Sequence, residues 1–502
     1  MKAHLLRVYP SREPLPREQQ LAWHLARVAA ESLDLEESVA AMVVNRLIDD
    51  VAVAVAALNR RPVVNARAQA LAHPRPGGAT LLGCPASQPV AAEWGAWANA
   101  VAVRELDFHD TFLAADYAHP GDSIAPLLAV AQQCQRDGDA LTRAIVTAYE
   151  IQIALVKSIC LHRHKIDHVA HLAPAVAAGL GTLLELDTPV IYQAIQQAVH
   201  LGFSTRQSRK GGISSWKAYA PAHAGKLAVE AVDRAMRGED APSPIYEGED
   251  SVIAWLLDGP EAEYTVWLPA PEEPRRAILE TYTKAHSAEY QAQAMIDLAF
   301  RLRARIPDPA SIAEVVIHTS HHTHTVIGSG ANDPQKYDPH ASRETLDHSL
   351  PYIVAVALQD GVWHHQRSYE PARAHRPDTV ALWSRIRTVE DADWSARYHH
   401  PNPTRRAFGG RMTVVLTDGT RLEEELAVAD AHPAGSRPFQ RADYQQKFRS
   451  LAEGLVEVAE QRRFLDLAAR LPTLDATGVA ELGVTVPTGR LHAAEHRGIF
   501  DA

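Results

Sequence analysis

Cysteine is scarce in this chain of 502 residues, which contains only three of them. Cys84, Cys134 and Cys160 lie far apart in the sequence, so they provide neither a disulfide framework nor a CxxC pair of metal ligands. This usage excludes a small secreted fold held together by disulfides. We expect a cytoplasmic protein, because free thiols persist in a reducing compartment.

Long apolar runs and an excess of positive charge are also missing. No apolar run approaches the about 18 residues of a membrane-spanning helix, and the segment before Leu21 contains no continuous apolar stretch. The 50 Lys and Arg are outnumbered by 61 Asp and Glu, which gives a formal net charge of −11. Because phosphate contacts need a basic surface, we expect a soluble protein that binds neither membranes nor nucleic acid.

The residues that are present predict a globular protein of two domains. Hydrophobic residues make up 46% of the chain, and they recur at helical spacing towards both of its ends. Between Thr281 and Asp443, β-branched runs appear instead. The pattern predicts a large all-helical domain of residues 1–280 and 443–502, interrupted by a smaller α+β lid domain of residues 281–442.

Within the α+β segment, three local patterns predict its elements. The run Ile312–Ile317 is typical of a strand, and Arg411–Leu416 with Arg421–Leu426 predicts a hairpin around Asp418-Gly419. Residues Leu346–Leu358 have the apolar spacing of a helix.

The first candidate site is the segment LDFHDT with the following HPGD turn. If Trp94–Phe112 forms one helix, Asp107 and Thr111 lie one turn apart on the same face. His119 then follows at a turn, where side chains are usually exposed. This arrangement collects a carboxylate, a hydroxyl and an imidazole, although a capped helix end explains the same residues.

The second candidate is a basic segment without acidic residues. No Asp or Glu occurs between Asp187 and Glu230, an unusual gap in an acidic chain. Such a segment suits a small polyanion, with Gly211-Gly212 permitting close backbone approach, or it is a basic surface loop. Its cations are Arg206, Arg209, Lys210, Lys217 and Lys226.

Two histidine clusters resemble metal sites at first sight. In the first, His164 and His168 are spaced i, i+4, and in the second a strand would place His318, His322 and His324 on one face. Neither cluster has a HExxH motif or a CxxC companion, so we predict no metal site and interpret these histidines as solvated or core residues. The full clusters are His162, His164, His168, His171 and His318, His321, His322, His324.

Two further segments contain residues suited to chemistry. Lys284 opens the segment KAHSAEYQAQ, and Tyr352 ends the segment RETLDHSLPY. Each alone is ambiguous, because a lysine at a domain junction is usually solvated and charged residues in the first turn of a helix are often caps.

Taken together, these motifs resemble the MmgE/PrpD family. The resemblance implies a homodimer with the active site between a helical domain and a lid. It also implies dehydration of 2-methylcitrate to 2-methyl-cis-aconitate in propionate breakdown, with no cofactor. Gln291 replaces a histidine found in many relatives, so it receives no role. The matching segments are LDFHDTFLAADYAHPGD, DHVAH, SSWKAYAPAHAGK, YTKAHSAEYQAQ and KYDPHASRETLDHSLPYIVAVALQDG.

The resemblance also implies a set of site residues. His171 fits the same motif as His168 and stays an alternative to it. The catalytic set is Asp107, Thr111, His119, His168, Lys217, Lys284 and Tyr352, and the substrate-binding set is Arg209, Lys210, Lys217 and Lys284.

The implied reaction explains why these residue types are needed. Removing a proton next to a carboxylate builds negative charge, which Lys217 and Lys284 are expected to stabilise. We expect His119, oriented by Asp107, to transfer the proton, while Thr111, Tyr352 and His168 position the substrate or complete the relay.

Aconitase-type dehydratases use an iron–sulfur cluster held by cysteine thiolates, and three scattered cysteines without a CxxC pair do not offer that motif. The sequence therefore favours a metal-free dehydratase. Two alternatives stay open: a cis-aconitate decarboxylase or epimerase of the same family, and a protein that binds metal through its histidine clusters.

Overall fold

The structure is a computed structural model that describes residues 1–31 and 34–501. Within this part of the chain, helices predominate and the β-strands form small sheets. None of the described helices combines the length and the apolar character that crossing a membrane requires.

Helices form most of the N-terminal half. Many are rich in alanine and valine, and α2 is buried along most of its length, which places it in the centre of the fold. The helices are α1 (Leu21–Ala30), α2 (Glu37–Ala57), α3 (Arg61–Leu71), α4 (Ala92–Glu105), α5 (Ile124–Gln133), α6 (Gly138–Ser158), α7 (Val169–Leu183), α8 (Thr188–Leu201) and α9 (Trp216–Met236).

Shorter helices follow in the next segment, and three more end the chain. The middle set is α10 (Gln293–Arg303), α11 (His321–Val326), α12 (Arg343–Leu346), α13 (Leu350–Asp360), α14 (Pro371–Ala374), α15 (Pro377–Trp383) and α16 (Ala392–Tyr398). The last set is α17 (Arg441–Ala452), α18 (Val458–Ala468) and α19 (Ala476–Ala480).

The described strands other than β2 form three sheets. A four-stranded sheet has the order β10-β9-β7-β8, in which β7 and β8 are parallel and the other pairs are antiparallel. The other sheets are the antiparallel pair β1-β5 and the three-stranded β4-β3-β6. The strands are β1 (Lys2–Arg7), β2 (Pro74–Ala79), β3 (Asp110–Leu113), β4 (Tyr117–Ala118), β5 (Glu263–Leu268), β6 (Tyr282–Thr283), β7 (Ile312–Thr319), β8 (Ile386–Glu390), β9 (Gly410–Leu416) and β10 (Arg421–Leu426).

The hydrophobic side chains of the described residues form one large core, one smaller core and a third cluster of six residues. The third cluster joins the two and contains Leu113, Tyr117, Tyr282, Tyr290, Tyr398 and Phe408. The large core runs from Leu6 to Ile278 and resumes from Tyr444 to Val486, because α17 returns to pack against α2. The smaller core is built from residues between Ala288 and Leu422. We call α1–α9 with α17–α19 the helical unit, and α10–α16 with the four-stranded sheet the mixed unit.

The local predictions inside the mixed unit are mostly confirmed. Strand β7 contains the predicted run, and β9 and β10 form the predicted hairpin, with Gly419 at a φ of 87° in its turn. The predicted helix Leu346–Leu358 is interrupted, since α12 ends at Leu346 and α13 begins at Leu350. Ser349 caps α13 by accepting a hydrogen bond from the Tyr352 backbone N–H.

The prediction that Trp94–Phe112 forms one helix is wrong. Helix α4 ends at Glu105, and Asp107 has a φ of 49°, in the left-handed region that short polar side chains tolerate. The chain then enters β3, which pairs with β6. Sheet pairing with a distant segment overrides the helical pattern here, so Asp107 and Thr111 do not share a helix face.

The prediction that three histidines share a strand face is also wrong. Strand β7 ends at Thr319, and Ser320 caps α11 by accepting a hydrogen bond from the Thr323 backbone N–H. His322 and His324 therefore lie on a helix. In the other cluster, His164 and His168 do not share a face of one helix either, because α7 begins only at Val169, after both of them.

Candidate active site

A narrow pocket lies between the helical unit and the mixed unit. The empty space in it is about 390 Å³, including space open to solvent, and water-sized molecules fit into only a small part of it. The helical unit contributes Arg104, Asp107, Tyr117, His119, His168, Arg206 and Arg209. The mixed unit and the segment leading into it contribute Glu289, Tyr290, Gln291, His322, Val326 and His348.

Asp107 forms the centre of a buried charge cluster at the end of α4. Its carboxylate lies 2.9 Å from Arg104 Nη1, 3.2 Å from Lys217 Nζ and 2.5 Å from Lys284 Nζ. Lys284 Nζ also donates to the Asp107 backbone carbonyl at 2.9 Å. Burial alone would raise the pKa of Asp107, but these three cations hold it well below its usual range.

Lys217 joins this cluster to the mixed unit. Its ammonium donates to both carboxylate oxygens of Asp347 at 2.9 Å. Asp347 also accepts from Arg343 at 2.9 Å and is hydrogen-bonded to His348 Nδ1. The sequence placed Lys217 and Lys284 at substrate carboxylates, whereas in the structure both ammonium groups are engaged by Asp107 and Asp347.

His119 is held in the pocket by the backbone of β3. Its Nδ1 lies 2.9 Å from the carbonyl oxygen of Asp110, so Nδ1 carries the proton and donates it. Burial, with a contribution from Arg104, keeps the pKa of His119 well below its usual range. The imidazole is thus neutral at neutral pH, with the lone pair of Nε2 directed away from its anchor.

The turn after His119 is fixed by the same residue that anchors the ring. The Asp110 carboxylate accepts from the Gly121 backbone N–H at 2.8 Å and from the Tyr149 hydroxyl at 2.9 Å. A Cβ atom at position 121 would lie 2.8 Å from Asp50 Oδ1, so glycine is required. Asp107 Oδ1 is 4.0 Å from His119 Nε2, beyond hydrogen-bond distance. The backbone of Asp110, rather than the predicted Asp107, therefore orients this ring.

His168 lines the pocket, whereas the alternative His171 does not. His171 Nε2 is hydrogen-bonded to the Ile159 carbonyl at 3.0 Å, away from the pocket. Both ring nitrogens of His168 are buried without a hydrogen-bond partner among the described residues. Burial lowers the pKa of His168 to about 4, so this neutral ring has a donor and an acceptor available to a ligand.

Glu289 is a pocket residue to which the sequence prediction gave no role. The carboxyl group is 6% exposed, and its Oε2 accepts from the Gln291 backbone N–H at 2.6 Å. Burial is the main reason that the pKa of Glu289 rises to about 8, so the group is largely protonated at neutral pH. The sequence contains one signal for a role of Glu289, namely its position five residues after Lys284 in a segment that matches the family.

The basic segment reaches the pocket through only some of its cations. Arg209 lines the pocket and pairs with Asp167 at 3.0 Å, while Arg206 lines it without a salt bridge to any described residue. Lys210 is exposed and donates to the Ala331 carbonyl at 2.7 Å. The structure thus places Arg206 at the pocket and Lys210 in a contact between the two units.

Thr111 and Tyr352 do not line the pocket. The Thr111 hydroxyl donates to the Ala118 carbonyl at 3.1 Å within the small sheet. The Tyr352 hydroxyl donates to the Ser368 carbonyl at 2.6 Å, and its ring packs against Trp383 in the smaller core. Both side chains are occupied by structural contacts of their own units.

The pocket therefore combines three chemical capacities. His119 and His168 are neutral imidazoles, Glu289 is a carboxylic acid near neutral pH, and arginines surround them. Groups whose environments push their pKa values in opposite directions are the expected members of an acid–base pair. The arginines supply the positive field that an anionic substrate needs.

Comparison with known proteins assigns the chain to a family. The model of the MmgE/PrpD N-terminal domain matches residues 19–265, and that of the MmgE/PrpD C-terminal domain matches residues 286–473. The chain belongs to the MmgE/PrpD family, which confirms the resemblance read from its motifs.

Curated relatives align over most of the chain. The 2-methylcitrate dehydratase of Cupriavidus necator is 28% identical over 78% of this chain and 78% of its own length. The 2-methylcitrate dehydratase of Salmonella typhimurium is also 28% identical, over 76% and 79%. A mitochondrial 2-methylcitrate dehydratase of Yarrowia lipolytica is 27% identical over 68% and 66%.

Proposed function

We propose that this protein is a hydro-lyase that dehydrates 2-methylcitrate to 2-methyl-cis-aconitate in the methylcitrate cycle of propionate catabolism. The proposal rests on one observation: the same pocket holds the neutral imidazole of His119 and the protonated carboxyl group of Glu289, and arginines surround both. The names of the curated relatives supply the substrate. Citrate, which lacks only the methyl group, is the second substrate in this proposal.

His119 is the base in this proposal. Its Nδ1–H is committed to the Asp110 carbonyl, so Nε2 is the nitrogen that accepts a proton. The proton comes from the carbon next to a substrate carboxylate, and the electrons of the broken C–H bond form the new double bond. Substrate carboxylates raise the proton affinity of the ring once they are bound, because opposite charges stabilise the imidazolium.

Glu289 is the acid in this proposal. As the C–O bond breaks, the departing hydroxide takes the Glu289 proton and leaves as water. His119 then carries one extra proton and Glu289 one fewer, so a proton exchange with solvent restores the starting state. His168, with both nitrogens unpartnered, is suited to hold the hydroxyl or a carboxylate of the substrate.

The arginines bind the substrate carboxylates in this proposal. Arg206 has a free guanidinium among the described residues and suits bidentate binding of a carboxylate. Lys217 and Lys284 act through Asp107, whose charge they balance beside the base. We retain Arg209 as a contributor to the positive field, although it is paired with Asp167.

The mixed unit acts as a lid inserted into the helical unit, with the predicted boundaries near residues 281 and 442. This proposal is supported by the two hydrophobic cores and by the return of α17 to the first of them. The family resemblance further supports a homodimer and a reaction that needs no cofactor.

The experiment is a direct assay of the purified protein in the presence of a chelator. Alkene absorbance is followed with 2-methylcitrate, citrate and cis-aconitate. Dehydration of 2-methylcitrate is expected, and release of carbon dioxide from cis-aconitate without dehydration would establish the decarboxylase alternative instead. His119→Asn keeps a donor for the Asp110 carbonyl but removes the basic nitrogen, so turnover should fall by about 10²-fold or more. His171→Gln is the matched control outside the pocket.

A further inference from the structure

We propose that His162, His322 and His399 bind one divalent transition-metal ion of the zinc type across the seam between the two units. His162 follows α6 in the helical unit, whereas His322 lies on α11 and His399 directly follows α16 in the mixed unit. The site borders the pocket, since His322 lines it, but the inference does not depend on the reaction proposed above.

The spacing of the three rings suits tetrahedral coordination. Their ring centroids are 4.7 Å (His162–His322), 5.6 Å (His162–His399) and 5.7 Å (His322–His399) apart. Three imidazoles on one zinc ion, with Zn–N bonds of about 2.1 Å, have centroids about 5 Å apart. The candidate ligand atoms lie within 4.8 Å of one another. Ligand nitrogens on one tetrahedral zinc ion are about 3.4 Å apart, so small side-chain shifts complete the site.

Two of the rings are already oriented as metal ligands are. His162 Nδ1 lies 2.7 Å from Asp116 Oδ1, and His399 Nδ1 lies 2.7 Å from the Ala114 carbonyl. Such contacts fix the outer ring nitrogen as the donor and direct Nε2 to the metal. Asp116 is itself held by the backbone N–H groups of Tyr117 and Leu161, at 2.9 and 2.6 Å.

Binding requires the loss of one proton. Burial would lower the pKa of His162, but its hydrogen bond to Asp116 raises the pKa to about 9. The ion must displace that proton, and metal affinity consequently increases with pH. Cys160 Sγ lies 3.6 Å from His162 Nε2 and is a candidate for the fourth position, which water fills otherwise.

A bound ion ties the lid to the helical unit beside the pocket. Tyr117, which lines the pocket, packs against His162 and His322, with ring centroids 5.8 and 6.4 Å apart. Linking the two units here opposes their separation. The ion is therefore expected to raise thermal stability and to slow turnover rather than to support it.

Metal binding can be measured on the full-length protein after removal of bound metal with a chelator. Calorimetric titration with zinc at pH 8 should show one ion per chain, and cobalt should give the visible absorption of a tetrahedral site. His399→Asn, which keeps a donor for the Ala114 carbonyl, should weaken binding at least about tenfold. His322→Ala should do the same and guards against a folding defect in the first variant.

The control is His321→Ala, which removes an exposed histidine on the same helix as His322. It should bind zinc as the unmodified protein does and show the same rise in melting temperature. The inference is overturned if the unmodified protein binds no ion at millimolar zinc, or if the His399 and His322 variants bind it unchanged.

Discussion

In the proposed reaction, one buried side chain, Glu289, sets the pH range of activity. Its pKa of about 8 makes it a proton donor at neutral pH, while burial keeps His119 unprotonated there. The acid and the base are therefore both in the required state at neutral pH. On this basis kcat/KM should fall as the pH rises through about 8, where Glu289 loses its proton.

Glu289→Gln should lower turnover by about 10²-fold or more, because the amide cannot protonate the departing hydroxide. The residual activity should no longer fall near pH 8. Steady-state rates across a pH series, with His171→Gln as the control, provide the measurement. A Glu289→Gln enzyme that keeps the alkaline decline would assign that decline to another group.

The same residue should reduce stability at alkaline pH. The folded-state pKa of Glu289 is about 8, above the ordinary value of 4.5, so the folded protein holds more protons between these values. The free energy of unfolding therefore decreases as the pH rises through this window. Melting temperatures should show that Glu289→Gln is the more stable protein at pH 8 and that the difference shrinks towards pH 5. An equal difference at both values would contradict the raised pKa.

Arg206 offers a test of substrate binding that leaves the acid and the base in place. Arg206→Gln should raise KM for the tricarboxylate about tenfold or more, since a charge-assisted contact contributes about 1.5–3 kcal/mol. Lys226→Gln is the matched control, because Lys226 belongs to the same basic segment but pairs with Glu230. Equal KM values for the two variants would exclude Arg206 from the substrate contacts.

The end of α4 is the element on which the charge cluster depends. Asp107 adopts its left-handed conformation just after the helix and faces Arg104, Lys217 and Lys284. Asp107→Asn keeps the size of the side chain and the tolerance for positive φ. It leaves three cations buried without their shared carboxylate, so the free energy of unfolding should fall by about 3–5 kcal/mol. Urea unfolding measures this directly, and a fall below about 1 kcal/mol would contradict the proposed charge balance.

The same element shows which parts of the structure could be predicted from the sequence. The β9–β10 hairpin was predictable because its turn and its alternation are local in the chain. The break after Glu105 was not, since it depends on the pairing of β3 with β6, a distant segment. Helical periodicity continues across this break, so no local pattern marked it.

The site residues divide in a similar way. The motifs singled out Asp107, His119 and His168 from residue types and their order, and all three line the pocket. The state of Glu289 could not be predicted, since its pKa results from burial between the two units. The histidine site also escaped prediction, because its three members come from three separate parts of the chain.

At the scale of the whole molecule, the narrow pocket requires the two units to separate. Water-sized molecules fit into only a small part of the empty space in this pocket. A tricarboxylate cannot enter such a space while the units stay in contact. Contacts across the seam near the pocket include hydrogen bonds, such as those of Gly211 N to Asp333 and of Ile213 N to Thr345, both 3.1 Å. They also include the Lys217–Asp347 ion pair and a small apolar cluster in which Tyr117 packs with Tyr290.

Hydrogen–deuterium exchange should detect this separation. The amides of Gly211 and Ile213 should exchange faster than those of α7. Opening of the seam breaks the hydrogen bonds of these two amides and leaves the hydrogen bonds within α7 intact. Tricarballylate, a tricarboxylate without the departing hydroxyl, should slow their exchange by bridging the pocket arginines and the mixed unit. The amides of α7 lie within one core and serve as the control. If a saturating tricarboxylate leaves the exchange of the two seam amides unchanged, the substrate reaches the pocket without separation of the two units.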